Sequence, residues 1–180
     1  MKAKYTSRQR LTFTIMAAIL AALTFVTISL TAVPIPIIGI FHIGDFFIYI
    51  AATLLPLPYA MAVGAIGGGL TNITASHLIL FTPFTVVIKS LNCLPFGSKD
   101  DKILTKRNIH ALFISGGITI VGYFFARLFV RSVESGNFYV GLTNAFWGIL
   151  SNVGQAVGSA IIFLIVASLL DKAKIKKLLY

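Results

Sequence analysis

Phe41-His42-Ile43-Gly44-Asp45-Phe46-Phe47-Ile48-Tyr49-Ile50-Ala51-Ala52-Thr53-Leu54-Leu55-Pro56-Leu57-Pro58 sets a histidine and a carboxylate at the mouth of an otherwise apolar run. Ionisable groups at the edge of a membrane span are costly unless they are wet, paired or used. The rest of the chain decides between these. It has 180 residues, 57% of them hydrophobic and only 11% charged, with mean hydropathy +0.93. That is the composition of a membrane protein. A span needs about 20 apolar residues, so the length allows about six or seven spans and no soluble catalytic domain.

The net charge of +10 does not point to nucleic acid, because the basic residues flank apolar runs and form no soluble basic face. A single cysteine, Cys93, excludes an internal disulfide and a C-x-x-C metal site, and reads as a packing residue. The first apolar run, Leu11 to Val33, is too long for a signal-peptide core and reads as a retained helix.

Working outward, apolar runs and breakers predict helices at about 11–32, 43–55, 59–75, 83–96, 109–130 and 142–170. The expected fold is an all-α integral membrane protein, a single transmembrane domain over 1–180 with six spans. Val33-Pro34-Ile35-Pro36-Ile37-Ile38-Gly39 cannot continue a helix and reads as an apolar loop folded back over the bundle. Ala60, Gly64 and Gly68 make a small-residue stripe on a central helix. Ala17/Ala21 and Ala18/Ala22 are small pairs four apart on the first helix, fit for close packing within the bundle or against a partner.

Twelve of the fifteen Lys and Arg residues fall in three segments: the N-terminus, 97–108 and the tail. Six spans put all three on one face, which the positive-inside rule makes cytoplasmic, with both termini there. His42, Asp45, Asn72 and Lys89 then lie in the outer half of the membrane. So do Asn144, Gly148, Ser151 and Gln155, on one face of the last helix with Trp147 and Asn152 adjacent. The inner halves are almost purely apolar. The convergence predicts an apolar cavity with a few placed polar groups, open to the outside.

Each group also has a plainer reading. Asp45 can cap its helix, Lys89 can pair with Asp45, the amides can bond between helices, and Trp147 and Tyr139 can be interfacial aromatics. His77 and His110 read as interface residues. No phosphate loop, H-E-x-x-H motif or metal spacing of the three histidines is present, and no second carboxylate lies inside a span. No cofactor and no metal are expected.

His42-Ile43-Gly44-Asp45, Ala51-Ala52-Thr53-Leu54-Leu55, Gly64-Ala65-Ile66-Gly67-Gly68-Gly69-Leu70-Thr71-Asn72 and Pro83-Phe84-Thr85-Val86-Val87-Ile88-Lys89 together resemble the substrate-binding S component of energy-coupling factor (ECF) transporters. The likeness is to the riboflavin-transporter-like group that includes hydroxymethylpyrimidine and pyridoxine proteins. It implies a multi-pass protein of the bacterial plasma membrane, not an enzyme, that binds a small vitamin or precursor near the outer face. It implies docking on a transmembrane coupling (T) subunit and two cytoplasmic ATPases, with ATP used by those partners. It assigns Ala17, Ala18, Ala21 and Ala22 to the coupling-subunit interface. His42, Asp45, Asn72, Lys89, Asn144, Trp147, Asn152 and Gln155 are the expected substrate-binding residues. The chain departs from the family pattern at Asn72, often aspartate in relatives, at Ser90-Leu91-Asn92 and at Leu57-Pro58. One buried cation and several amides suit a small polar heterocycle such as hydroxymethylpyrimidine or pyridoxine. Two other readings are an ion-coupled secondary carrier and a membrane enzyme using Asp45, His42 and Lys89 as acid–base groups.

Overall fold

A computed structural model describes residues 5–179. Lys2 and Lys4 of the N-terminal basic segment lie outside the described residues. The chain folds into α1 (Ser7–Thr31), a β-hairpin of β1 (Val33–Ile35) and β2 (Gly39–Phe41), α2 (Asp45–Leu54), α3 (Leu57–Thr74), a 3-10 segment (Ser76–Phe81), α4 (Thr82–Leu91), α5 (Lys106–Ser135), α6 (Phe138–Lys172) and the short α7 (Lys176–Leu179). It is an all-α membrane fold carrying one small hairpin.

Local chemistry sets the ends. Thr6 and Gln9 form a reciprocal capping box on α1. Thr105 caps α5 through the Asn108 amide and Asn137 caps α6 through the Tyr139 amide, so both helices begin earlier than hydropathy alone indicates. Gly136, with φ +63°, ends α5 in the left-handed conformation. The helix expected over 83–96 stops at Leu91. Pro95 has no N–H to offer the Leu91 carbonyl, and its ring disfavours helix at the residue before it.

Among the described residues three helices are long and apolar enough to cross a membrane: Ser7–Thr31, Lys106–Ser135 and Phe138–Lys172. In their most apolar stretches only 33%, 33% and 22% of the residues are buried. The rest of that surface, with Ile19, Phe113, Phe125, Leu150 and Ile161 among its exposed members, suits hydrocarbon rather than water.

Two of the six expected segments are short helices. The ten residues of α2 rise about 15 Å, half the roughly 30 Å hydrocarbon thickness, and α4 is equally short. Every α2 residue except Phe47 is buried. A helix apolar all round is a core element, and α2 is sheathed by α1, α3 and α6. Gly44 makes this approach possible: a Cβ there would run into the Ile28 side chain and stand 3.3 Å from the Thr24 carbonyl oxygen. Tyr49 of α2 forms an aromatic cluster with Phe96 and Phe163, centroids 5.3 to 6.0 Å apart.

The glycine-rich α3 is central. Gly67 lets α1 approach, with the Ala21 carbonyl oxygen 2.9 Å from where its Cβ would lie, and Gly64 abuts the Lys89 backbone. Cys93 is buried, its Sγ 3.3 Å from the Ala60 carbonyl oxygen. At the end of the bundle where α6 finishes, Asp171 accepts from the Ile103 and Leu104 amides, and Lys176 donates to the Asp100 carbonyl. These bonds bring the 97–105 segment and the basic tail together.

The segment expected to be an irregular loop is an antiparallel hairpin pairing Val33 with Phe41, Pro34 with Ile40 and Ile35 with Gly39. It sits at the opposite end of the bundle from the basic tail. Phe41 lies against Gly154 and Gly158 of α6, which leave room for its ring.

Candidate binding site

The C-terminal ends of α1 and α3, the 3-10 segment, the start of α4, the last turns of α5 and the middle of α6 meet under the hairpin around a cavity of about 370 Å³. His42, Asn72, Thr85, Tyr123, Arg127, Asn152 and Gln155 line it among mainly apolar neighbours such as Ile28, Leu78 and Phe81. Of the residues singled out in the sequence, the structure brings His42, Asn72, Asn152 and Gln155 together here.

Three polar atoms in this lining are buried without a hydrogen-bond partner among the described residues: His42 Nδ1, Asn152 Nδ2 and Arg131 Nε, the last on a side chain that is otherwise part exposed and paired with Glu134. His42 and Asn152 are at least nine-tenths buried, at 8% and 3% exposed. Leaving such atoms unsatisfied costs about 1–3 kcal/mol each, which a ligand in the cavity would recover. Asn72 is partly spent: its Nδ2 donates to Thr85 Oγ1 at 2.7 Å, and the Tyr123 hydroxyl donates to the same oxygen at 3.1 Å.

Asp45 and Lys89 do not line the cavity. Lys89 Nζ stands 2.6 and 2.7 Å from the two carboxylate oxygens of Asp45, and both side chains are buried. Gln155 Nε2 donates to Asp45 Oδ2 at 2.7 Å. Asp45 therefore does not cap α2, whose N-cap is Gly44 with no side-chain bond. The pair is a sealed floor, and Gln155 reaches from it to the cavity. Gly68 of α3 makes room for the lysine stem, with Lys89 Cγ 3.0 Å from its would-be Cβ.

Asn144 and Trp147 are placed elsewhere. With Ile37, Tyr139, Val140 and Thr143 they line a separate outer hollow. Asn144 shares a face with Asn152 but stands eight residues, about 12 Å, further along α6. The hairpin tip comes between them: Ser151 Oγ donates to the Ile38 carbonyl at 3.2 Å. Trp147 is turned away from the cavity and half exposed.

The alanine pairs on α1 also divide. Ala17 and Ala21 pack into the bundle, whereas Ala18 and Ala22 face outward. A 100° step per residue separates these stripes, so one pair of a double motif turns inward when its helix has a bundle on one side.

Sequence reasoning missed Thr85 and Tyr123, which carry no unusual signal, and Arg127, a cation outside the three basic segments. Arg127 Nη1 donates to the Ile38 carbonyl at 3.1 Å and Nη2 to Ser151 Oγ at 3.3 Å. Its side chain threads between Gly39 of the hairpin and Gly148 of α6, and a Cβ on either would collide with it. Gly39 also needs its φ of +121°. Arg127 thus fastens the hairpin over the cavity. Gly148→Ala should expel it and raise amide hydrogen exchange across 33–41 by about tenfold or more, since a hydrogen bond from a charged donor is worth about 1.5–3 kcal/mol. Unchanged exchange would show that the hairpin is held by its other contacts.

Residues 10–172 match the family model for the ECF-type riboflavin transporter, S component. The chain belongs to that family. No curated protein matches it. As an S component it is a membrane subunit of a vitamin-uptake transporter, from a family of transporters rather than enzymes. Among the described residues no group of three or more His, Cys, Asp and Glu side chains could hold a metal ion.

Proposed function

We propose that this S component captures a small vitamin or precursor from the extracellular side and delivers it through a T subunit driven by two cytoplasmic ATPases. The observation that carries the reading is the hairpin-covered cavity with the buried, unpartnered His42 and Asn152 atoms. At about 370 Å³ it is near the small end of the roughly 300–1,000 Å³ usual for ligand pockets, which favours a compact heterocycle of the hydroxymethylpyrimidine or pyridoxine kind.

The proposed topology has six membrane-embedded segments, with the short α2 and α4 completing the count inside the bundle. Both termini and the 97–105 segment are cytoplasmic by their positive charge, and the hairpin is extracellular. The sequence has no phosphate-loop motif, and in this reading the ATPases use the ATP. Ala18 and Ala22, exposed on α1, offer the small-residue surface for close approach of the T subunit.

Native mass spectrometry of the gently purified protein tests the ligand. A bound mass that matches a pyrimidine or pyridine vitamin, lost on denaturation, is expected. Uptake of that compound should require the T subunit and the ATPases. Uptake by the S component alone, driven by an ion gradient, would overturn the reading in favour of a secondary carrier.

A further inference from the structure

Arg127 is a half-buried cation on the cavity wall, and no carboxylate faces it. The chain holds only five acidic residues, and each is placed elsewhere. Asp45 is bound by Lys89 and Gln155. Glu134 pairs with Arg131, the other arginine of the lining, at 2.6 Å. Asp171 accepts from the Ile103 and Leu104 amides, and Asp100 and Asp101 are exposed in the 97–105 segment at the far end of the bundle. With the ion pairs cancelled, the cavity retains the one positive charge of Arg127.

The hydrogen-bond balance leans the same way. Arg127 spends two of its five N–H groups, on the Ile38 carbonyl and Ser151 Oγ. Asn152, adjacent to Ser151 in the chain and also on the wall, has a buried Nδ2 with no acceptor. Spare donors and an uncompensated cation, in a site shielded from water on the lipid side, call for an acceptor-rich anion.

We infer that Arg127 receives an anionic group of the ligand, a carboxylate or a phosphate ester. The cavity therefore takes an acidic heterocycle in preference to its neutral counterpart. This inference rests on the vitamin-uptake reading above and narrows it.

Calorimetric titration of the ligand-stripped protein in detergent with matched probes tests it: pyridoxine against pyridoxine phosphate, and nicotinamide against nicotinate. In at least one pair the anionic member should bind about tenfold or more tightly than the neutral one. Arg127→Gln should reduce that preference to within about twofold, and Arg127→Lys, which keeps a point charge, should retain part of it. Neutral members that bind as well as or better than the anions would overturn the anion assignment and leave the uptake reading standing. So would a preference that survives Arg127→Gln. Binding of no member of either pair would count against the heterocycle reading itself, and the anion assignment would fall with it.

Discussion

Replacing Lys89 with alanine should destabilise the protein by about 3–5 kcal/mol, because the change leaves a carboxylate buried without its counter-ion. Asp45 is fully buried and holds three short contacts, two of them from the lysine ammonium. With the ammonium gone, only the Gln155 amide faces a full negative charge. Removing the charges together should behave differently. Asp45→Leu combined with Lys89→Met deletes both desolvation costs, so it should recover most of the loss in thermal unfolding. From the sequence alone, Lys89→Ala is expected to weaken ligand binding and spare the bundle. The sealed position of the lysine reverses the order of effects. A Lys89→Ala protein as stable as the wild type, yet unable to bind ligand, would return the lysine to the binding site.

A tryptophan at Ala22 or Ala18 should abolish uptake and leave ligand binding within about twofold of the wild type. Both alanines lie on the outward face of α1, away from the cavity, so an indole there meets no internal neighbour. It does block close approach of another helix, which small residues permit. Ala21→Trp is the contrasting variant: Ala21 is buried and its backbone touches the Gly67 position of α3, so the indole should prevent folding. Co-purification with the T subunit and uptake in cells that express the whole transporter read the result. Normal uptake with tryptophan at 22 would move the docking surface off this face.

Much of the site was legible because it is made of costly groups. His42, Asn72, Asn152 and Gln155 stand out in a chain of low polarity, and helical spacing puts the α6 pair on one face. The enclosure of α2 was harder to read. Hydropathy registers an apolar run but not what surrounds it, and α2 is apolar because it is enclosed by protein rather than by lipid. The hairpin was hidden because Val33 to Phe41 has two prolines and no alternation of polar and apolar residues. Its pairing depends on the tight turn at 36–38, on the positive φ of Gly39 and on contacts with α6. Arg127 was hidden by distance along the chain, since its partner Ile38 lies 89 residues earlier. The same hairpin accounts for Asn144 and Trp147: helical periodicity gives their direction, and only the fold shows that Ile38 closes the cavity before it reaches them.

The buried pair also imposes an order on synthesis. Asp45 is made 44 residues before Lys89 and 110 before Gln155. At roughly 5–20 residues per second, the carboxylate waits about 2–9 seconds for its counter-ion and about 5–22 seconds for its amide. Throughout that interval α2 is too short to span and carries a charge that hydrocarbon rejects. The nascent chain must keep α2 in water or in the insertion machinery until α4 emerges, and the two enter the membrane as a unit. The last helix then adds the Gln155 amide, so the buried charge has its full set of partners only when α6 is in place.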